Sequence, residues 1–254
     1  MNGGARASLR LDAARIRYEN GSLVGPFTFA SNAERVALLG DFGALFRLIA
    51  NRATLESGTV TLLDVPLQQA LSSGVVGAAP LDLPLPPAWT CERYLSESAG
   101  LFGLRRRAAR ERAHTALARF ELGALARRTL GSLAVHDRRA LAIVRATLND
   151  PKLLLCEAPL SGLPPSAQRL LSVALERTRC ALVVSFHELP HFGLERALFE
   201  TCTQHFVHDR DLAHDRDLVH DRDRDLAHDR DLAHDRDLAH DRDLAHDRDL
   251  AHDR

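Results

Sequence analysis

A short glycine-containing turn, Gly40-Asp-Phe-Gly-Ala44, follows the apolar run Val36-Ala-Leu-Leu39 and leads into Leu45-Phe-Arg-Leu-Ile-Ala50. Such a turn between a strand and a helix can aim backbone N–H groups at a phosphate, at the positive end of the helix dipole. Holding a polyphosphate takes two more groups: a lysine for the outer phosphates and a Ser or Thr hydroxyl for the magnesium ion. Neither follows Ala44, and the only lysine in the chain is Lys152, far downstream. Arg47 is the nearest cation after the turn, and its plainer reading is a solvated helix residue. Asp41 puts a negative charge beside the turn, which is the wrong sign for a phosphate.

The elements that would position these residues follow from the hydrophobic pattern. Residues 9–39 read as two or three short strands, the last ending at Gly40. A helix is expected over Leu45–Ala50, then a turn at Ser57-Gly58 and a strand at 59–63. Val75-Val76 opens another strand, and the proline-rich segment 80–90 excludes a regular element. From 91 to 128 the pattern is helical and basic, with Arg105–Arg107, Arg110 and Arg112 on solvated faces. Another helix is expected from about 137 to 148, and a further one over Ser166–Arg177. Leu153–Cys156 and Cys180–Ser185 are continuous apolar runs of strand length. Such strands alternating with helices predict an α/β fold with a mostly parallel sheet covered on both faces.

The order of these landmarks resembles the ATP-binding cassette of ABC transporters. Val36–Ala44 followed by Leu45–Ala50 resembles the Walker A region, and Ser57-Gly-Thr-Val60 the segment after it. Ala140–Ala146 with Asn149-Asp-Pro151 resembles the helix behind the signature motif. Leu153–Leu163 resembles Walker B with the D-loop, and Val183–His187 the switch-histidine strand. The resemblance covers roughly residues 9–213. It implies a P-loop NTPase-like sheet with helices on both faces and an inserted helical subdomain at about 88–135. Residues 1–207 would form the cassette, and 208–254 a repetitive tail.

Against the family's G-x-x-G-x-G-K-[ST]-[ST], the simplest alignment deletes four residues between Ala44 and Leu45, the G-K-S-T itself. Gly40, Gly43 and Ala44 are then what is left of the cofactor-binding loop, with Tyr18 as the adenine-stacking aromatic. The Walker B carboxylates fall at Glu157 and Ala158, so Glu157 is the surviving metal position and the catalytic base is replaced by alanine. The Q-loop glutamine is Leu81. The signature reads Leu133-Ala-Val-His-Asp137, without its hydroxyl or small residues, and the D-loop aspartate is Pro164. His187 alone keeps its family position, although a histidine at a strand end is as often structural.

The last 47 residues have another character. From His208 the unit His-Asp-Arg-Asp-Leu-Ala repeats every six residues, broken once by an extra Asp-Arg near Asp223, with eight His, sixteen Asp and nine Arg in all. The whole chain carries −1, so this segment at −7 leaves a body of +6. A six-residue period sends successive leucines to separate helix faces, and Asp pairs at i,i+4 repel. Disorder is the expectation, with loose Zn²⁺ or Ni²⁺ binding by the histidines as an alternative. His205–Ala213 is expected to give the cassette's final strand and hairpin. Cys91, Cys156, Cys180 and Cys202 lack metal-ligand spacing and read as reduced thiols. No apolar run is long enough to span a bilayer.

The resemblance therefore implies a cassette subunit deficient in ATP binding and hydrolysis. It would be peripheral on the cytoplasmic face of the membrane, partnered by a permease and able to pair with another cassette, with no nucleic-acid partner. No cofactor is expected, or ATP and Mg²⁺ if activity survives through Arg47 and Glu157. A paralogue decaying without function is the third alternative.

Overall fold

The computed structural model describes residues 8–208, which fall in the first of two units, residues 1–208 and 209–254. The hexapeptide repeat after His208, and the hairpin expected there, lie outside the described residues. In chain order come β1 (Leu9–Tyr18), β2 (Leu23–Ser31), β3 (Arg35–Gly40) and α1 (Gly43–Ile49). Next are β4 (Ala53–Leu62), β5 (Val65–Pro66), α2 (Leu67–Ser72), β6 (Val76–Ala79), α3 (Cys91–Gly100) and α4 (Arg106–Arg119). The chain continues with α5 (Val135–Ala146), β7 (Leu153–Cys156), α6 (Pro165–Glu176), β8 (Ala181–Phe186), α7 (Gly193–Glu200) and β9 (Gln204–His208).

Two sheets result. The parallel one has the order β6-β7-β8-β3-β9, and an antiparallel one has β2-β1-β4-β5. Residues along β3 alternate between two cores: Val36 and Leu38 pack with α1 and the antiparallel sheet, Ala37 and Leu39 with the helices on the other side. In β7, Leu153 and Leu155 join the first core while Leu154 and Cys156 join the second. A strand buried on both faces has no polar positions, which is why these segments read as unbroken apolar runs. Burying one leucine contributes about 1.5–3 kcal/mol, so the cores dominate the fold's stability.

Helix α1 fills the space between the sheets, with Leu45, Phe46, Leu48 and Ile49 buried. On the opposite face α5 presents Leu141, Ile143 and Val144, and α6 presents Leu171 and Leu175. Between β6 and α5 lie α3, α4 and two 3-10 turns, Gly123–Leu125 and Leu130–Ser132. Segment 80–90 has no helix or strand, as its prolines require. The four cysteines are free. Among the described residues no helix is long and apolar enough to cross a membrane.

Two expectations need correction. Ser57-Gly58 is not a turn but lies inside β4, opposite an irregularity in β1 between Asp12 and Arg15. There Ala13 and Gly58 both take positive φ, and a Cβ on Gly58 would stand 2.3 Å from the Ala13 carbonyl oxygen. The glycine marks a bulge with close backbone approach, a signal easily taken for a turn. Helix α1 starts at Gly43 rather than Leu45, because the chain enters it straight from the end of β3. Helices α2 and α7 are short elements that the hydrophobic pattern did not mark.

Candidate functional site

The candidate site lies at the carboxyl end of β3, where an open α/β sheet presents its strand-to-helix loops. Gly40, at φ +99, lets the chain reverse, and the Phe42 N–H donates to the Gly40 carbonyl at 2.9 Å. Asp41 N–H donates to the His208 carbonyl at 3.0 Å, tying the turn to β9. Phe42 is the N-cap of α1 and supplies no capping side-chain hydrogen bond. The Leu45 N–H is taken by the Phe42 carbonyl at 3.0 Å. Gly43 and Ala44 are thus the first residues of a helix rather than part of an open loop. Ala44 is fully buried in the core between the sheets, so it does not line a cleft.

What closes the turn is aromatic. Phe42 is 1% exposed, its ring stacked on Phe27 at 5.5 Å and edge-on to Phe29 at 5.7 Å. Phe29 stacks on Phe206 at 4.3 Å, and the His208 ring lies 4.3 Å from Phe27 and 5.8 Å from Phe42. Phe27 and Phe29 share a face of β2 by the period of two, but only the fold brings Phe42 and β9 to them. Sequence reasoning missed this cluster for that reason.

Glu157 does meet this turn. Its carboxylate stands beside Gly43, where an added Cβ would be 3.6 Å from Oε1, and Oε2 accepts the Leu81 N–H at 2.8 Å. Burial pushes the Glu157 carboxyl above the ordinary range, against the Leu81 hydrogen bond and the charges of His187 and Arg47. Tyr18 is half-buried, and its ring is covered by the Arg47 guanidinium at 5.2 Å from the centroid. Burial and the Asp41 carboxylate raise the Tyr18 phenol, and Arg47 opposes them. The fold therefore gathers Gly40, Gly43, Tyr18, Asp41, Arg47 and Glu157 around one strand end.

Two expected positions behave differently. Ala158 is fully buried at φ +37, and its N–H donates to the Ser185 hydroxyl at 3.1 Å. His187 is exposed and makes no hydrogen bond among the described residues, though its charge acts on Glu157 and Glu195.

A carboxyl whose pKa is higher folded than unfolded binds more protons in the native state across the interval between the two values. Stability falls there as pH rises. For Glu157 that window opens near the ordinary carboxyl value of 4.5 and extends upward. Glu157→Gln keeps an acceptor for the Leu81 N–H and removes the titration. Denaturant midpoints measured from pH 4.5 to pH 7 should decline less steeply in this variant than in the parent.

The remaining motif positions lie at other helix ends. Leu133 is buried, Ala134 caps α5 without a side-chain bond, and α5 opens with the exposed Val135. Asp137 in its first turn faces Arg128 and His136, each at 3.5 Å. Pro164 caps α6. Arg139 donates to the Ser161 carbonyl, and Arg145 to the Ala78 carbonyl at 3.0 Å. Arg139 holds the loop after β7 to α5, and Arg145 holds strand β6 to it, roles that sequence inspection did not assign.

A family model described as ABC transporter matches residues 28–161. The chain is 28% identical over 185 residues to a Rhizobium etli Nod factor export ATP-binding protein I, covering 67% of this chain and 58% of the relative. It is 29% identical over 181 residues to the molybdenum import ATP-binding protein ModC of Brucella suis, covering 65% and 48%. The chain thus spans about half the length of the curated relatives it matches. Among solved structures, cbiO1 of Clostridium perfringens, part of the ABC transporter complex cbiONQ, superposes with a TM-score of 0.60 at 19% identity, covering 80% of this chain and 84% of that one. An ATP-binding subunit of an ABC transporter superposes at 0.61 with 18% identity, covering 78% and 85%.

Proposed function

The chain belongs to the family of ABC transporter ATP-binding proteins, and from that membership we propose that it serves as a cassette that neither binds nor hydrolyses ATP. The observation that carries the proposal is the turn between β3 and α1. On the simplest alignment to the family's motif, four residues fall out between Ala44 and Leu45, and Phe42 is buried at the helix entrance. The residues present do not fit a magnesium triphosphate. No lysine or hydroxyl stands after Ala44, Asp41 repels phosphate, and the Leu45 N–H already has a partner. Tyr18, the position for adenine stacking, has its ring under Arg47. Arg47 in that place is poorly disposed to stand in for the absent lysine.

The hydrolytic position supports the same reading. Ala158 offers no base, and its complete burial leaves no room for a longer side chain without rearrangement. The signature segment Leu133–Asp137 has no hydroxyl, and Asp137 is committed to Arg128 and His136. A dimer of cassettes builds each nucleotide site from the turn of one copy and the signature of the other. This chain would supply a defective half to both.

The role left is structural or regulatory, on a membrane permease contacted through the helical segment at about 88–135. A tagged full-length chain expressed with its permease should capture that protein equally with and without Mg-ATP. Capture that requires nucleotide, or turnover of ATP by the captured complex above a Glu157→Ala control, would contradict the proposal.

A further inference from the structure

The connection between α3 and α4 carries a feature that the cassette reading leaves unused. Leu101 is 87% exposed and Phe102 47% exposed at the tip, and Gly103 turns the chain there at φ +87. Phe102 rests part of its ring near Gly74, while Leu101 projects into solvent. Arg105, Arg106, Arg107 and Arg110, all exposed, follow it in the sequence. No carboxylate stands in the first turn of α4. Arg107 pairs with Glu111 at 2.9 Å, and among the described residues Arg105, Arg106 and Arg110 have no ion-pair partner.

A projecting leucine with a half-exposed phenylalanine, followed by four arginines, is an arrangement that suits an interface between water and anionic lipid. The apolar tip enters the boundary region, and the guanidinium groups meet phosphates above it, where their forked N–H donors match phosphate oxygens. Neither half would suffice alone, since two apolar side chains bind a bilayer weakly and cations on a helix are ordinarily solvated. A protein groove is the less favoured occupant. The apolar part is one prominent side chain rather than a flat face, and residues 105–110 carry four arginines and no carboxylate. We infer that the α3–α4 tip, Leu101 and Phe102 with Arg105, Arg106, Arg107 and Arg110, is a docking surface for anionic membrane lipid. The inference does not rest on the permease reading, because a lipid vesicle contains no protein.

Flotation of the full chain with vesicles tests it. At low salt the chain should float with vesicles rich in phosphatidylglycerol and not with pure phosphatidylcholine. Binding should fall steeply with salt, and inorganic phosphate at the same phosphate concentration should not compete. Each arginine near an anionic surface is worth about fivefold in partitioning, so Arg105→Ser with Arg106→Ser and Arg110→Ser should lower it about 100-fold. Leu101→Asp should lower it about tenfold while leaving the salt dependence in place. These side chains are exposed, and unchanged thermal midpoints would show that the fold is intact. Equal flotation with both lipids, or binding indifferent to both variants, would overturn the inference. So would permease capture that fails in Leu101→Asp while the parent ignores vesicles, which would assign the tip to a protein partner.

Discussion

A variant with Gly-Lys-Ser-Thr inserted between Ala44 and Leu45 is expected to bind Mg-ATP at least about 100-fold more tightly than the parent, and still not to hydrolyse it. The insertion restores the lysine, the hydroxyl and just over one turn of backbone N–H groups at the positive end of α1. A hydrogen bond to a charged group contributes about 1.5–3 kcal/mol, so two recovered interactions suffice for that gain. Turnover should stay absent because position 158 is a buried alanine beside Ser185. Equilibrium binding of a fluorescent ATP analogue and a phosphate-release assay read the two parts separately. If the insertion folds and gains no affinity, the missing residues are not what disarms the turn.

The second large effect concerns what holds the β3–α1 turn in place. Phe42 is 1% exposed against Phe27, Phe29 and His208, so its ring is core rather than lining. Phe42→Ala should cost about 3–5 kcal/mol, by lost transfer energy and the cavity left behind. For a domain of this size that lowers the melting midpoint by about 10 °C. Phe42→Leu, which preserves most of the volume, should cost about 1.5 kcal/mol or less. Denaturant titration of the three proteins decides the matter. A Phe42→Ala protein as stable as the parent would show that the aromatic cluster does not support the turn.

Much of the fold was legible because burial on both faces leaves an unmistakable trace. Val36–Leu39, Leu153–Cys156 and Cys180–Ser185 could be read as strands of a covered parallel sheet without any contact information. The helices behind them followed from period and length. What could not be read was whatever depends on a partner distant in sequence. Gly58 looks like a turn until Ala13 is seen across the ladder from it. Phe42 looks like a loop residue until Phe27, Phe29 and His208 arrive from two other strands.

The site divides in the same way. The absence of a lysine after Ala44 is a property of the chain itself and needed no structure. That Glu157 accepts the Leu81 N–H, and that Arg47 lies over Tyr18, are facts of packing. They change how the surviving residues are interpreted, because groups that looked available for a ligand already have neighbours. Arg139 and Arg145, which tie a carbonyl of the loop after β7 and one of strand β6 to α5, stood in a helix with several arginines, and nothing in their spacing set them apart.

The most direct test of the central claim is equilibrium titration of the purified chain with a labelled ATP analogue in the presence of magnesium. With no lysine or hydroxyl seated after the first glycine turn, saturation should not be reached below millimolar analogue. A micromolar dissociation constant, abolished by competition with unlabelled ATP, would contradict the account.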